Sequence, residues 1–575
     1  MEINDLALSR AREARAAIER LYTEMRHIFN SGSYKNPGAS GEVLTQALLT
    51  LSPEIYGSMG DPDKVELAGL IYVIDRLPKG IEECRLVKLI SEEGFKDSEF
   101  EVIIPLSRRR NCYKVDEEHM YIEVTRGRSE IYDILTHLTF MYMEAEKIRK
   151  HAFDENNKPC LEWEKLEAIV KNDSKIDDKN RELAITYMSS LLGRTFEETR
   201  HAYRRMAQHS LTNNGLFHVI YWLGKVAMDE HLHGKSREIT FSPTLRARIG
   251  HHIYGEKWAN QIKEFLLSNQ LIERPVHIIS ANLHSVLNSI YAWPAMKKHL
   301  KGKLKSIESL ALNLSKPAHN NLREKVLEFA LENGMSMLED HTGTNISVQI
   351  IDTDKLDLRS LAPELSFDEA YIRAEKPVII VMDYAFGEQA FETMDELLKP
   401  LDSDERSWPM PVASISIMGK AGILTGGKGD IMIPTAHIFE GTADNYPLEN
   451  DLKMEDFSND GMLVCEGPMI TVLGTSLQNR DVLGYFRDSS WKAIGLEMEG
   501  AHYQKAIQAA AMIRKNIDRG VRLRYAYYAS DNPLLTGSTL ASGSLGEVGV
   551  KPTYLITLRI LDRILTPKKM VSHYV

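Results

Sequence analysis

The chain has 575 residues, too many for one hydrophobic core, and at about 150 residues per domain this length predicts two to four domains. Its apolar share of 43% and charged share of 26% are close to the averages for folded globular proteins, which excludes a globally disordered or fibrous protein. The 81 acidic side chains outnumber the 70 basic ones, which argues against a long nucleic-acid footprint, because phosphate backbones bind to a basic field.

The sequence shows no pattern of export or membrane insertion. The start, MEINDLALSR, lacks the basic-then-apolar pattern of a signal peptide, and no stretch approaches the ~18 apolar residues of a membrane span. The four cysteines form no CxxC pair, which argues against a zinc ribbon and a disulfide framework. We therefore expect a cytoplasmic protein with no membrane or nucleic-acid partner and no cofactor.

The first half of the chain is predicted to be mainly helical. Apolar residues recur at steps of four and three from Ala11 to Ile28, which predicts a long amphipathic helix. Further helices are predicted at 41–51, 64–77 and 128–150, and a strand pair near 100–105 and 119–125. We therefore expect a mainly helical N-terminal domain with a small strand pair over 1–153, followed by a helical connecting region over 154–272.

An α/β pattern begins after Pro275. Short apolar strands are predicted at 276–280, 346–352, 377–384, 412–418, 430–434, 493–497 and 521–529, and helices at 387–399, 499–516 and 552–565. This alternation predicts an α/β domain over 273–575, a mixed sheet with helices on both faces, in which the helical segment 300–338 is an insertion.

Two glycine-containing segments are candidate ligand-binding turns. PVIIVMDYAFGEQAFETMDELL passes from a strand through a turn at Gly387 into a helix, and such a turn presents backbone N–H groups to an anion. In ASISIMGKAGILTGGKGDIMIP, a predicted loop contains Gly419 and Gly422, which would let a ligand approach the backbone, and Lys420, which would add a positive charge. An ordinary strand-to-helix turn and a glycine-rich hairpin with solvated lysines are the alternatives.

Two acidic segments follow. AIGLEMEGAHYQKAI has Glu497, Met498 and Glu499 at the junction of a strand and a helix, where charge faces the ligand crevice of an open α/β sheet. The Glu499 carboxylate can accept two hydroxyl hydrogen bonds, which suits a ribose 2′,3′-diol, with Met498 as an apolar floor. RYAYYASDNPLLTGSTL brings Ser530 and Asp531 into a turn at a strand end. Helix N-terminal acids and an Asx-type turn are the alternatives.

The order of these motifs over 376–565 resembles the nucleoside phosphorylase and nucleosidase superfamily. The shared order is strand, glycine turn and helix, then strand, GxxG, GD and strand, then an [VL]EME segment, then a strand that ends in SD. The run from Ser530 to Leu534, with Gly537, is most similar to the AMP nucleosidase family. The resemblance implies a phosphorylase- or hydrolase-like fold whose first strand is 276–280.

The resemblance also implies roles for the matched residues. Asp531, at the position of the family's SD aspartate, would be the general acid at purine N7, and Glu499 would bind the ribose hydroxyls. Met498 would pack on the sugar. The further substrate-binding residues implied are Glu497, Gly387, Gly419, Lys420, Gly422 and Ser530. To donate a proton at neutral pH, the Asp531 carboxyl needs a pKa well above ~3.9, which burial can supply.

These roles predict an N-glycosidase of purine nucleosides or nucleotides, with cleavage of AMP to adenine and ribose 5-phosphate as the leading hypothesis. Hydrolases that resemble methylthioadenosine nucleosidase carry a water-activating glutamate after the first strand, where this chain has SANLH at 280–284. His284 is either a substitute for that glutamate or a packing or surface residue. Lys420 stands where phosphorylases commonly have a small hydroxyl residue. A purine nucleoside phosphorylase that uses phosphate and a non-catalytic nucleoside or nucleotide sensor are therefore alternatives, and the superfamily implies a homo-oligomer.

Three further motifs lie in the first half. SRRR at 107–110 and TRGRS at 125–129 are on either side of the predicted strand pair, where they could form an anion pocket or be solvated loops. DEHLH at 229–233 matches no zinc-ligand spacing, so we expect no metal site.

Overall fold

The computed structural model describes residues 2–172, 178–297, 305–403, 406–457, 461–535 and 545–567. The chain forms two compact units. The N-terminal unit comprises Met1–His251 and Leu473–Val482, and the C-terminal unit comprises His252–Val472 and Leu483–Val575. The predicted domain boundaries after residues 153 and 272 stay predictions.

The N-terminal unit contains nine named helices and five strands in its described part. The helices are α1 Glu2–Ser31, α2 Ala39–Leu51, α3 Leu67–Ile74, α4 Gly127–Ala152, α5 Leu161–Asn172, α6 Asp178–Leu192, α7 Phe196–Ala207, α8 Leu216–His233 and α9 Pro243–Gly250. The strands are β1 Ser33–Asn36, β2 Leu86–Ile90, β3 Cys112–Lys114, β4 His119–Glu123 and β5 Arg237–Phe241. The predicted amphipathic helix is α1, in which the side chains from Ala11 to Ile28 on the apolar stripe are buried.

Of the predicted strand pair at 100–105 and 119–125, the first strand was wrong. The partner of β4 is β3, and 100–105 contributes a single bridge from Ile103 to Cys112. The strands form one mixed sheet in the order β1-β5-β2-β4-β3, so this unit has more sheet than predicted. Pro105 has no N–H to continue a ladder, and Ile104 is 55% exposed, which explains why the apolar run at 100–105 does not pair along its length.

The segment Leu473–Val482 comes late in the chain but belongs to the N-terminal unit. Its Thr475 hydroxyl lies 3.3 Å from that of Tyr72, and the Gln478 carbonyl accepts a hydrogen bond of 2.9 Å from the Glu54 N–H. The Asn479 side chain donates to the Leu51 carbonyl at 2.8 Å. We call Leu473–Val482 the inserted segment.

The C-terminal unit contains the remaining named elements. Its helices are α10 Ile253–Ser268, α11 Leu283–Leu287, α12 Trp293–Lys297, α13 Ile307–Leu314, α14 Asn320–Glu332, α15 Glu369–Glu375, α16 Gln389–Leu397, α17 Arg480–Asp488, α18 Gly500–Gln508 and α19 Val550–Leu565, of which α17 begins in the inserted segment. Its strands are β6 Val276–Ser280, β7 Met335–Leu338, β8 Val348–Asp352, β9 Val378–Met382, β10 Leu401–Asp402, β11 Ser407–Trp408, β12 Val412–Ile423, β13 Ile431–Phe439, β14 Asn445–Pro447, β15 Val464–Thr471, β16 Gly495–Glu497 and β17 Arg522–Asp531. None of the helices in the described ranges has the length and apolar character needed to cross a membrane.

Ten of these strands form one mixed sheet. The hydrogen-bonded path is β14-β13-β15-β16-β12-β6-β9-β8-β7, and β17 pairs with both β12 and β13. Strands β12, β17, β13, β15 and β16 therefore close into a ring, from which β6, β9, β8 and β7 extend as an open sheet. Mixed pairing arises because β12 is parallel to β6 and β17 but antiparallel to β16.

The open part of this sheet is covered on both faces, as predicted. Ile278 and Ile380 belong to one buried apolar cluster, which includes side chains of α10, α16 and α18. Their neighbours Ile279 and Val381 belong to a second cluster, which includes side chains of α14 and α19. Successive strand residues point to opposite faces, so apolar runs without polar interruptions bury both faces. The mixed α/β class predicted for this half of the chain is confirmed.

The predicted helical insertion at 300–338 is partly correct. Residues 300–304 lie outside the described ranges, and α13 and α14 follow. The end of the segment is a strand, because β7 pairs antiparallel with β8 after a turn at Gly334, whose φ is 96°. A left-handed φ favours glycine, which lets the chain turn sharply from α14 into the sheet.

Candidate active site

The predicted site residues meet around Gly422, near the end of β12. Gly422 pairs with Asp531 of β17 on one edge and with Leu496 of β16 on the other. Since neighbouring strands lie about 4.8 Å apart, Asp531 and the backbone at Leu496 are separated by about 10 Å across β12. The structure thus brings the SD and EME segments together beside the GKAG segment.

The GKAG segment is strand and not loop, which corrects the prediction for 419–422. Gly419 pairs with Tyr527 and Lys420 with Tyr528, and β12 continues to Ile423. β17 pairs with β12 along the whole segment, and β16 joins the other edge at Gly422 and Ile423, so backbone pairing keeps the glycine-containing segment extended. A Cβ at Gly419 would lie 3.5 Å from the Tyr384 ring, an ordinary contact.

A bulge at the end of β17 orients the aspartate. Ala421 pairs with Ala529 and Gly422 with Asp531, so Ser530 is the extra residue on β17. Bulges redirect side chains at strand ends and are frequent beside active sites. The Ser530 hydroxyl lies 2.5 Å from Asp531 Oδ1 and 3.1 Å from the Ala421 carbonyl oxygen, and it can donate to either.

The Asp531 carboxyl is buried at the end of β17. It has no solvent exposure, and within the described ranges its Oδ2 has no hydrogen-bond partner. Burial raises the pKa of Asp531, and the Ser530 hydrogen bond and the charges of Lys420 and Lys428 oppose that rise. Burial thus favours the protonated form of this carboxyl, which is the form that can donate a proton to a ligand. Gly537, from the same motif, lies outside the described residues.

Glu497 holds the turn that begins α18. It is 4% exposed; its Oε1 accepts a hydrogen bond of 2.5 Å from Thr471 Oγ1, and its Oε2 accepts from the N–H groups of Glu499, at 2.5 Å, and Gly500. Burial, and then the charge of Glu499, raises the pKa of Glu497 to about 8. The direct contact of Glu497 with substrate stays a prediction.

Glu499 joins the EME segment to the Gly387 turn. Its Oε1 accepts a hydrogen bond of 3.0 Å from the Gly387 N–H, and Gly387 has a φ of 54°, in the left-handed region. The turn therefore presents its N–H to a carboxylate of the protein itself. Both Glu499 and its neighbour Met498 are partly exposed, so a ligand can reach them.

Sequence reasoning missed two buried residues at this site. Thr471, fully buried at the end of β15, donates to Glu497 and accepts from the Ala501 N–H at 2.9 Å. His437 on β13 packs against the Tyr525 ring at 4.8 Å, and neither ring nitrogen has a hydrogen-bond partner within the described part of the chain. Burial lowers the pKa of His437 to about 3, so it is neutral. The sequence around Thr471 and around His437 contains no motif that marks them as site residues. Only the pairing of strands brings these two side chains to the EME segment.

The segment after the first strand carries His284 on a helix surface. His284 is exposed on α11, and its N–H donates to Asn282 Oδ1 at 2.9 Å, as expected for a helix-surface histidine. The Ser280 hydroxyl lies 3.0 Å from that of Tyr503 in α18.

The acidic residues of the DEHLH segment pair with cations. Asp229 is 2.7 Å from Lys225, and Glu230 is paired with Arg237. Elsewhere in the N-terminal unit, Glu82, Glu83 and His218 lie close enough to share an ion, but the Lys114 ammonium is already bound to Glu83.

Glu497 makes the stability of the protein depend on pH. Its folded-state pKa of about 8 lies above the ordinary 4.5, so its stabilising contribution is complete below 4.5 and is lost as the pH rises through 8. Between about pH 5 and pH 8, we expect the unfolding free energy of the wild type to fall relative to that of Glu497→Gln, by up to about 1.4 kcal/mol per pH unit. Chemical denaturation at several pH values measures this difference. Glu466→Gln, which changes an exposed acid on β15, should keep the wild-type slope; equal slopes in wild type and Glu497→Gln would contradict the prediction.

The fold and the site define a protein whose C-terminal unit gathers a buried acid and two glutamates beside one strand of a mixed sheet. A family model matches residues 42–301 and 311–566, and the chain belongs to that family, DUF6909, which is described as a family of unknown function. A search of curated proteins gives no match.

Several solved structures are similar to half of the chain. One is the 5′-methylthioadenosine/S-adenosylhomocysteine nucleosidase of Campylobacter jejuni, at 10% identity and a TM-score of 0.29, over 50% of this chain and 99% of that chain. Another is the futalosine hydrolase of Helicobacter pylori, at 12% identity and a TM-score of 0.30, over 51% and 99%. A third is the Neisseria meningitidis nucleosidase in complex with methylthio-immucillin-A, at 11% identity and a TM-score of 0.29, over 50% and 99%.

Proposed function

We propose that the protein is an N-glycosidase that cleaves purine nucleosides or nucleotides. The observation that carries the proposal is the Asp531 carboxyl, which is fully buried, has one oxygen without a hydrogen-bond partner in the described ranges and lies across β12 from the EME segment. An acid and a carboxylate placed on two sides of a bound nucleoside are what cleavage of its glycosidic bond requires. The order of motifs shared with the nucleosidase superfamily supports the same assignment.

In the proposed reaction the bond between C1′ of the ribose and N9 of the purine breaks. Its electron pair leaves with the base, while Asp531 donates a proton to N7, so the purine departs without net negative charge. The ribose becomes an oxocarbenium-like cation, as in other glycosyl transfers. Glu499 would hold the 2′- and 3′-hydroxyls and stabilise that positive charge. Water then adds to C1′, and the proton that it releases restores the Asp531 carboxyl.

AMP is the substrate we propose first, with adenine and ribose 5-phosphate as products. The support is the Ser530 to Leu534 run, which is most similar to AMP nucleosidases. We also propose, from the superfamily, that the enzyme is a homo-oligomer of the cytoplasm.

Phosphorolysis is the second candidate, and Lys420 favours it. Lys420 is exposed on β12, and its charge lowers the pKa of Asp531, so a cation lies near the acid. A phosphate ion beside Lys420 could attack C1′ in place of water. The third candidate is a sensor, which would bind the nucleoside but would not cleave it.

One assay separates these candidates. The purified full chain is incubated with AMP, adenosine or inosine, with and without phosphate, and free base is measured by chromatography. Base release without phosphate is the result we expect. Release only with phosphate would make the protein a phosphorylase, and binding without release from any of the three purines would make it a sensor.

A further inference from the structure

Three arginines of the N-terminal unit converge on one buried region. Arg108 forms a bidentate pair with Asp133 at 3.0 and 3.2 Å, and Arg110 lies 3.4 Å from the same carboxylate. The third, Arg76, follows α3, and the carbonyl of its neighbour Asp75 accepts a hydrogen bond of 2.8 Å from the N–H of Ser107, which precedes Arg108. We call these three residues the arginine cluster. Only two of them come from the SRRR motif, and Arg109 between them is exposed.

Arg110 has unused hydrogen-bonding capacity. Its side chain is 2% exposed, and Nε and Nη1 have no hydrogen-bond partner among the described residues. The nearest acids, Glu130 and Asp133, are both 3.4 Å away, too long for strong charge-assisted bonds. A buried guanidinium with unsatisfied N–H groups is costly, which points to a missing acceptor.

The positive charge of Arg76 is compensated by fewer protein groups than that of Arg110. Its guanidinium lies 3.4 Å above the Tyr72 ring, and Nη1 donates to the Tyr72 carbonyl at 2.9 Å. Its Nε is buried and has no hydrogen-bond partner in the part of the chain that the structure describes. Burial and the charge of Arg108 both lower the pKa of Arg76. A partly buried cation beside a like charge is stabilised when an anion joins it.

The cluster is reachable from solvent. The Arg108 side chain is 17% exposed, and Arg76 is partly exposed, while Arg110 forms the buried end. Planar guanidinium groups present parallel N–H donors that match the oxygens of a phosphate group. Burial lowers the pKa of His137 against the opposing effect of Asp133, so the charged form of this histidine is disfavoured.

We propose that Arg76, Arg108 and Arg110 bind the phosphate group of a phosphate ion or of a phosphate monoester. The site lies in the N-terminal unit and does not depend on the proposed glycosidase activity. Arg76 supplies a cation that forms no ion pair with an acid among the described residues, although the charges of Asp133 and Asp75 act on it, and Arg110 supplies the unused donors. The Asp133 carboxylate orients Arg108 through its bidentate ion pair.

Calorimetric titration of the full chain with inorganic phosphate, and separately with methyl phosphate, tests the proposal. Ionic strength is held constant with KCl, so that screening does not change. We expect binding of at least one of the two, weakened about ten- to hundredfold in Arg76→Met. Inorganic phosphate alone would identify the free ion as the ligand, and binding of methyl phosphate would identify a monoester. Arg76→Met removes no ion pair formed between described residues, so it should fold, and its melting temperature in KCl checks this.

Two control variants test whether the loss of phosphate binding is specific to the arginine cluster. Arg200→Met removes an arginine of similar exposure that pairs with Glu197 on α7, and it should bind phosphate as the wild type does. Lys355→Met should also bind normally, because Lys355 is an exposed lysine of the C-terminal unit that belongs to neither proposed site. Binding that is kept in Arg76→Met would overturn the proposal, and so would the absence of binding of either anion to the wild type.

Discussion

Asp531→Asn is expected to fold normally and to release purine about 10²–10⁴ times more slowly than the wild type, the usual size of general acid catalysis. Asparagine keeps the shape of the side chain and can still accept from the Ser530 hydroxyl, but it has no acidic proton for N7. Single-turnover measurement of base release from AMP would give the rate of the chemical step directly. Because burial raises the pKa of Asp531, the wild-type rate should fall as the pH rises through that pKa.

The matched control for this variant is Asp518→Asn, an exposed aspartate of the same unit. It should turn over like the wild type. Equal rates for Asp531→Asn and the wild type would remove Asp531 from the mechanism, even if base release itself were confirmed.

Glu499→Gln is expected to lower kcat/KM by about 10²–10³-fold. Two hydrogen bonds from ribose hydroxyls to a charged acceptor would become bonds to a neutral one, and each charged bond is worth about 1.5–3 kcal/mol. Glutamine can still accept from the Gly387 N–H, so the turn should keep its structure. Steady-state kinetics with AMP and with its 2′-deoxy form measure the effect.

The deoxy substrate makes the test of Glu499 specific. The wild type should prefer the ribonucleotide, and that preference should shrink in Glu499→Gln, because the residue that reads the 2′-hydroxyl has lost its charge. Met498→Leu, a substitution of similar volume, should keep the preference. An undiminished preference in Glu499→Gln would show that another residue binds the diol.

The sequence predicted the C-terminal sheet better than the N-terminal one for a physical reason. Strands such as β6 and β9 are buried on both faces, so they appear as uninterrupted apolar runs with helical segments between them. In the N-terminal unit, β3 has only three residues, and its pairing with β4 depends on partners that local pattern does not reveal. The apolar run at 100–105 was the more conspicuous candidate and was wrong.

The acids of the candidate site stand out in the sequence, while the backbone prediction for 419–422 was wrong. Glu499 and Asp531 stand out because charge at the end of an apolar strand is unusual. The GKAG segment contains two glycines, which favours a loop locally, yet β16 and β17, which follow 70 or more residues later in the chain, hold it as a strand. Thr471 could not have been found, since only the pairing of β15 with β16 brings its hydroxyl to Glu497.

The inserted segment limits how the protein can be divided. The chain passes from one unit to the other at residue 251, returns at 472 and leaves again at 482, so a single cleavage does not release either unit. A fragment that began at His252 would carry Ser476 and Leu477, both nearly fully buried, without the N-terminal residues that cover their segment. Such a fragment would expose apolar surface and be prone to aggregate, so inactivity of an isolated C-terminal half would say nothing about its chemistry. Limited proteolysis should likewise yield nicked protein that stays associated under native conditions and separates only in denaturant.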